Sequence, residues 1–110
     1  MKNILLKNGF IKGKKVKNLI KFEYKVPGGK LIKIFASIKN GFIEEIKITG
    51  DFFLHPEESI DELEEKLKGV KIDDETKIRN ILTEFFKSKT LIGATAEDFL
   101  LALKGALNRA

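Results

Sequence analysis

Ile46-Lys47-Ile48-Thr49-Gly50-Asp51-Phe52-Phe53-Leu54-His55-Pro56-Glu57-Glu58 is the stretch where a strand hands over to a helix, and this handover decides the fold. Ile46 and Ile48 alternate with Lys47 as a half-buried strand requires, and the alternation stops at Gly50. Pro56 suits the first position of a helix, while Glu57 and Glu58 suit the positive end of its dipole. Between the two elements stand Asp51, Phe52 and Phe53. Each ring carries ~150–250 Å² of surface, so the junction is expected to pack on the domain's own core or on a partner.

Upstream of the junction, residues 19 to 49 read as a meander of three strands. Ile20, Phe22, Tyr24 and Val26 alternate with Lys21, Glu23 and Lys25, and Val26-Pro27-Gly28-Gly29 supplies a type II turn. Ile32, Ile34, Ala36 and Ile38 line the second strand, which Asn40-Gly41 closes as a hairpin. The third, residues 42 to 49, is expected to turn Ile46 and Ile48 inward and Glu45 and Lys47 outward. Downstream, Ile60, Leu63 and Leu67 keep helical spacing until Gly69. Asp73 is expected to cap a second helix with the stripe Ile78, Ile81, Leu82 and Phe85, running to about Lys89. Thr95, with Asp98 three residues on, gives an imperfect capping box for a third, with Phe99, Leu103, Ala106 and Leu107. Strands first and helices second predict an α+β domain, an antiparallel sheet of three to four strands packed against three helices. Residues 19 to 110 form this domain. Residues 1 to 18 are a Lys-rich extension in which Ile4 to Leu6 and Phe10-Ile11 form either an edge strand or an arm that orders on a partner.

At 110 residues the chain is sized for one domain, and no apolar run approaches the ~20 residues of a membrane span, so the cytoplasm is the expected compartment. The lack of cysteine excludes disulfides and thiolate chemistry. Richness in Lys, Glu and Ile without glutamine or tryptophan resembles the composition of heat-adapted proteins, a reading placed modestly ahead of the similar bias of an AT-rich genome. Residues 1 to 50 hold 12 Lys against three Glu, whereas residues 51 to 110 hold nine basic and 13 acidic residues. A basic half invites a small nucleic-acid-binding domain as the alternative function. That half contains no Arg, which favours lysines on solvated strand faces instead.

No self-sufficient catalytic set emerges. His55 is the only histidine and precedes Pro56 at a helix start, where capping or packing is its ordinary use; no metal site follows from one His and no Cys. Asp51, Glu57 and Glu58 gather acids at a helix end, which serve capping more readily than acid/base or Mg²⁺ chemistry. Gly28-Gly29-Lys30 lacks the spacing of a P-loop and reads as a hairpin turn with a solvated lysine.

Four segments taken in order carry a resemblance. Val26-Pro27-Gly28-Gly29-Lys30-Leu31, Asn40-Gly41-Phe42-Ile43, Ile48-Thr49-Gly50-Asp51-Phe52-Phe53 and Leu63-Glu64-Glu65-Lys66-Leu67-Lys68-Gly69 resemble the C-terminal accessory domain of lipoate-protein ligases over about residues 24 to 107. The resemblance implies a stand-alone, archaeal-type accessory subunit of a two-component ligase, non-catalytic alone. It would act with a separate catalytic subunit, as a heterodimer, when lipoate is activated by ATP to lipoyl-AMP before transfer to a lysine of a lipoyl carrier domain. ATP, Mg and lipoate would then belong to the complex, with no cofactor on this chain alone. On this reading Gly28, Gly29 and Lys30, together with Gly50, Asp51, Phe52, Phe53 and His55, face the catalytic subunit, with one of the two Phe rings in the core and the other at the interface. The Lys-rich first 18 residues fall outside the resemblance.

Overall fold

The computed structural model describes residues 7 to 109, so the expectation for Ile4 to Leu6 lies outside the described residues. Four antiparallel strands, β1 (Lys7–Ile11), β2 (Lys14–Lys25), β3 (Leu31–Lys39) and β4 (Phe42–Gly50), form one sheet in the order β1-β2-β3-β4. A short ribbon pairs β5 (Phe53–His55) with β6 (Thr90–Ile92). Three helices, α1 (Ser59–Leu67), α2 (Glu75–Phe86) and α3 (Ala96–Leu107), complete the α+β domain.

The meander follows the expected period. Ile20 pairs with Ala36, Phe22 with Ile34 and Tyr24 with Ile32, while Ile34 and Ala36 pair onward with Ile48 and Ile46. Phe22, Ile32, Ile34, Ala36, Ile46 and Ile48 build one continuous core with Leu63, Leu67, Leu82, Phe99 and Leu103, Tyr24 packs against it, and Ile20 is buried outside that cluster. Gly105 brings α3 down onto β2: a Cβ there would run into the Phe22 ring.

β2 begins at Lys14, five residues ahead of the expected start, and β1 pairs with it as an edge strand. An extra residue in β2 between Val16 and Leu19, with Asn18 at φ 55°, bulges the hairpin so that it curls over the outer face of the sheet. Val16 and Ile11 are buried there, outside the main core. Glu45, expected to point into solvent, is buried under this curl beside Lys14.

Helix starts differ from expectation at two places. Pro56 opens a turn closed by the Ser59 N–H on its carbonyl, so α1 begins three residues later, at Ser59. Asp74 rather than Asp73 caps α2, its carboxylate accepting the Lys77 N–H at 3.1 Å, and α2 ends at Phe86 rather than near Lys89. At α3 the box is complete: Thr95 Oγ1 accepts the Asp98 N–H and Asp98 accepts the Thr95 N–H at 2.8 Å.

Candidate functional site: the Gly50 to Phe53 end of the sheet

Where β4 leaves the sheet, the chain is locked to the start of β3 by a reciprocal pair. The Asp51 N–H donates to the Leu31 carbonyl, and the Leu31 N–H donates to the Asp51 carboxylate at 2.6 Å. An acceptor with a full charge makes the second bond the stronger one. Gly50 permits the approach, since a Cβ at that position would collide with the Leu31 carbonyl oxygen and the Phe52 ring. Asp51 thus neither caps a helix nor joins Glu57 and Glu58 in a cluster. Among the described residues no group of His, Asp and Glu side chains is arranged to hold a metal ion.

The chain then splits its two rings. Phe52 turns inward and meets Phe99 edge to face, with centroids 5.0 Å apart, and Phe86 sits 4.9 Å from Phe99 on the next side. Phe53 opens β5 pointing out, 55% exposed, while Leu54 behind it is buried. The ring at the surface is therefore Phe53. Directly across the ribbon is Ile92, 59% exposed, so two large apolar side chains stand as a cross-strand pair in water.

The β2–β3 turn reaches the same end. The Gly29 N–H donates to the Val26 carbonyl at 2.9 Å, and Gly28 at φ 101° takes the positive-φ position of the turn. Lys30 lays its aliphatic stem on Gly93, the residue after β6, where any Cβ would meet the stem. Among the described residues its ammonium enters no ion pair. A cleft of about 190 Å³ lined by Gly50, Phe52, Phe53, Leu54, Glu57 and Ile60 lies beside this end. His55 is exposed at the end of β5 opposite Thr90. A larger groove, about 780 Å³ between α1 and α2, contains none of the predicted site residues.

The structure thus brings Gly28 to Lys30 and Gly50 to Phe53 to one end of the molecule, although 20 residues separate Leu31 from Asp51. Sequence reasoning missed Ile92 and Gly93 there. A three-residue strand has no period to read, and only the β-branched Thr90 and Ile92 ahead of Gly93 offered a signal.

Two buried carboxylates also escaped notice. Glu64, inside the Leu63 to Gly69 segment, is 3% exposed; it accepts the Ile48 N–H at 2.7 Å and lies 2.5 Å from Lys12 Nζ. Further along the outer edge of β4, Gly69 and Val70 exchange backbone hydrogen bonds with Ile43. The Leu-Glu-x-x-Leu-x-Gly pattern therefore has a physical account. Leu63 and Leu67 are fully buried, Glu64 satisfies an edge donor of β4, and Gly69 turns the chain back along the same edge. Glu45 receives Lys14 at 2.9 Å and Lys68 at 3.4 Å. Burial pushes its carboxyl upward, but the two ammonium groups outweigh this and hold it below the ordinary carboxylate value.

Comparison with known proteins identifies relatives of the chain. Residues 15–103 match the family model described as bacterial lipoate protein ligase C-terminus. The chain is 37% identical over 75 residues to lipoate-protein ligase A subunit 2 of Thermoplasma acidophilum, covering 67% of this chain and 77% of that protein. A solved structure from the same organism, of an archaeal bipartite lipoate protein ligase and its E2 lipoyl domain, aligns over 77% of this chain and 93% of its own at 34% identity and a TM-score of 0.68. The chain belongs to the lipoate protein ligase C-terminus family.

Proposed function

We propose that this chain is the accessory subunit of a two-component lipoate-protein ligase and that its Gly50 to Phe53 end docks on a separate catalytic subunit. Activation of lipoate by ATP to lipoyl-AMP would then require both chains, before transfer of the lipoyl group to a lysine of a carrier domain. The observation that carries the docking end is the exposed pair Phe53 and Ile92, beside an ammonium at Lys30 that enters no ion pair among the described residues. Apolar anchors at the centre of a patch with charge at its rim are the composition of a protein interface.

The chemistry fits an accessory role. Adenylation must hold a carboxylate and the ATP α-phosphate in line, and positioning of this kind contributes ~7–11 kcal/mol to lowering a barrier. A second domain that completes a site and excludes water supplies such positioning without a nucleophile of its own. Lys30, on a stem steadied by Gly93, adds positive potential at the edge of that site. ATP, Mg and lipoate are assigned to the complex, and the cytoplasm to the chain. Among the described residues no helix is long and apolar enough to cross a membrane.

The test is lipoate-dependent pyrophosphate release by the catalytic subunit with and without this chain, together with coelution of the two on gel filtration. The expected result is a stable pair and release that depends on both. An unchanged rate per catalytic subunit, with only its solubility improved, would refute a part in activation.

A further inference from the structure

The charge asymmetry of the sequence becomes a spatial one. Ion pairs among the described residues involve the helices, the chain flanking them, or Lys12 and Lys14 at the end of the first hairpin. Lys21, Lys25, Lys33 and Lys47 enter none of these pairs, and the register places all four on one face. Lys21 lies across from Phe35, which lies across from Lys47; Glu23 faces Lys33, and Lys25 faces Leu31. This is the outer face of β2, β3 and β4, opposite the side that carries Phe22, Ile32 and Ile34 into the core. Backbones two strands apart are about 10 Å from one another, so Lys21 and Lys47 bracket Phe35 at that spacing. The one acid among these positions is Glu23.

We infer that this face receives an acidic protein surface, that of the acceptor whose lysine is lipoylated; the inference rests on the ligase function proposed above. Two features select a protein over a nucleic acid. The face has no arginine to grip phosphates in bidentate fashion, and its aromatic ring, Phe35, is partly buried with the Lys21 ammonium 5.8 Å from its centroid. A ring that is partly buried and flanked by an ammonium offers bases less face for stacking than an exposed one. Continuity gives the location. Lys33 shares a cleft with Leu31, Thr49, Gly50 and Asp51, so the basic face runs directly onto the docking end. An acceptor reaching a site completed by that end lies along the lysines.

The reconstituted pair tests this with recombinant lipoyl acceptor domain as the substrate and the triple variant Lys21→Gln, Lys25→Gln, Lys47→Gln, its fold checked by circular dichroism. Removing three steering charges is expected to raise KM for the acceptor about tenfold at low salt, and the difference should close as salt rises. Acceptor-free pyrophosphate release should stay at the wild-type rate. Unchanged KM at both salts, with stimulation of pyrophosphate release intact, overturns the assignment of this face alone. So does a variant that loses binding of labelled oligo-uridine while its acceptor KM stays the same. A pair whose pyrophosphate release never depends on this chain overturns the ligase function, and the acceptor with it.

Discussion

Lys12→Ala and Glu64→Ala, alone and together, measure how the first hairpin is tied to α1. Glu64 is 3% exposed and holds two partners: the Ile48 N–H at 2.7 Å and Lys12 Nζ at 2.5 Å. Truncating Glu64 removes a hydrogen bond to a charged acceptor, of order 1.5–3 kcal/mol, and leaves the Ile48 N–H to find water at the edge of β4. The removal also lifts the desolvation cost of the carboxylate, so the net loss should be about 2 kcal/mol. Truncating Lys12 leaves a buried carboxylate with one donor. Breaking a fully buried pair costs ~3–5 kcal/mol, but Lys12 is 27% exposed and water can enter its place, which brings the cost to roughly 1–2 kcal/mol. Urea unfolding of the four proteins at neutral pH gives the cycle, with the double variant losing about 1 kcal/mol less than the summed singles. Because Glu64 is buried, the coupling should survive moderate salt. Additivity within ~0.3 kcal/mol would refute the claim that the bridge tethers the hairpin to the helix.

Other outcomes follow from the same contacts. Gly50→Ala forces β4 away from the Leu31 carbonyl and breaks the Asp51 to Leu31 pair, so thermal unfolding should show a loss of ~1–3 kcal/mol. Phe53→Ser and Ile92→Ser each withdraw about 80–100 Å² of apolar surface from docking; Kd for the catalytic subunit should weaken about 30-fold by calorimetry, with the melting temperature of the free chain unchanged. Glu45 has a folded pKa held below its ordinary value of 4.5, so its contribution is present above that value and is lost as pH falls through the folded pKa. Acid unfolding should therefore be less steep below about pH 4.5 in Glu45→Gln than in the wild type, as read by urea midpoints across the range.

The sheet was legible because its periods are long enough to count. Ile32, Ile34 and Ala36 alternate inward along the strand from Leu31, and Asn40-Gly41 marks the hairpin that pairs Lys39 with Phe42. The helices were legible from Leu63 and Leu67, and from Ile78, Leu82 and Phe85, all of them buried. What escaped reading depends on contacts between distant segments. The Asn18 bulge reverses no local propensity, yet it curls the hairpin over Glu45 and converts an apparent solvent-facing acid into a buried one. The β5–β6 ribbon joins residues 35 positions apart at its closest pair, His55 and Thr90, through segments only three residues long.

The motif that carried the family resemblance divides, once folded, into residues that hold the end together and residues it offers outward. Gly50 and Asp51 are consumed by Leu31, Phe52 by Phe99, and Glu64 by Ile48 and Lys12. Gly50 and Asp51 keep exposed surface, but the contacts they make hold the end in shape, so substituting them perturbs docking by deforming it. Phe53 and Lys30 have no such commitment: the ring stands in water beside Ile92, and the lysine is held by its stem alone. A loss of activation in Asp51→Ala would therefore come with a loss of stability, whereas in Lys30→Ala it would come without one. Comparing urea midpoints with pyrophosphate release for the two variants separates scaffold from contact, and matching destabilisation in both would show that Lys30 too belongs to the scaffold.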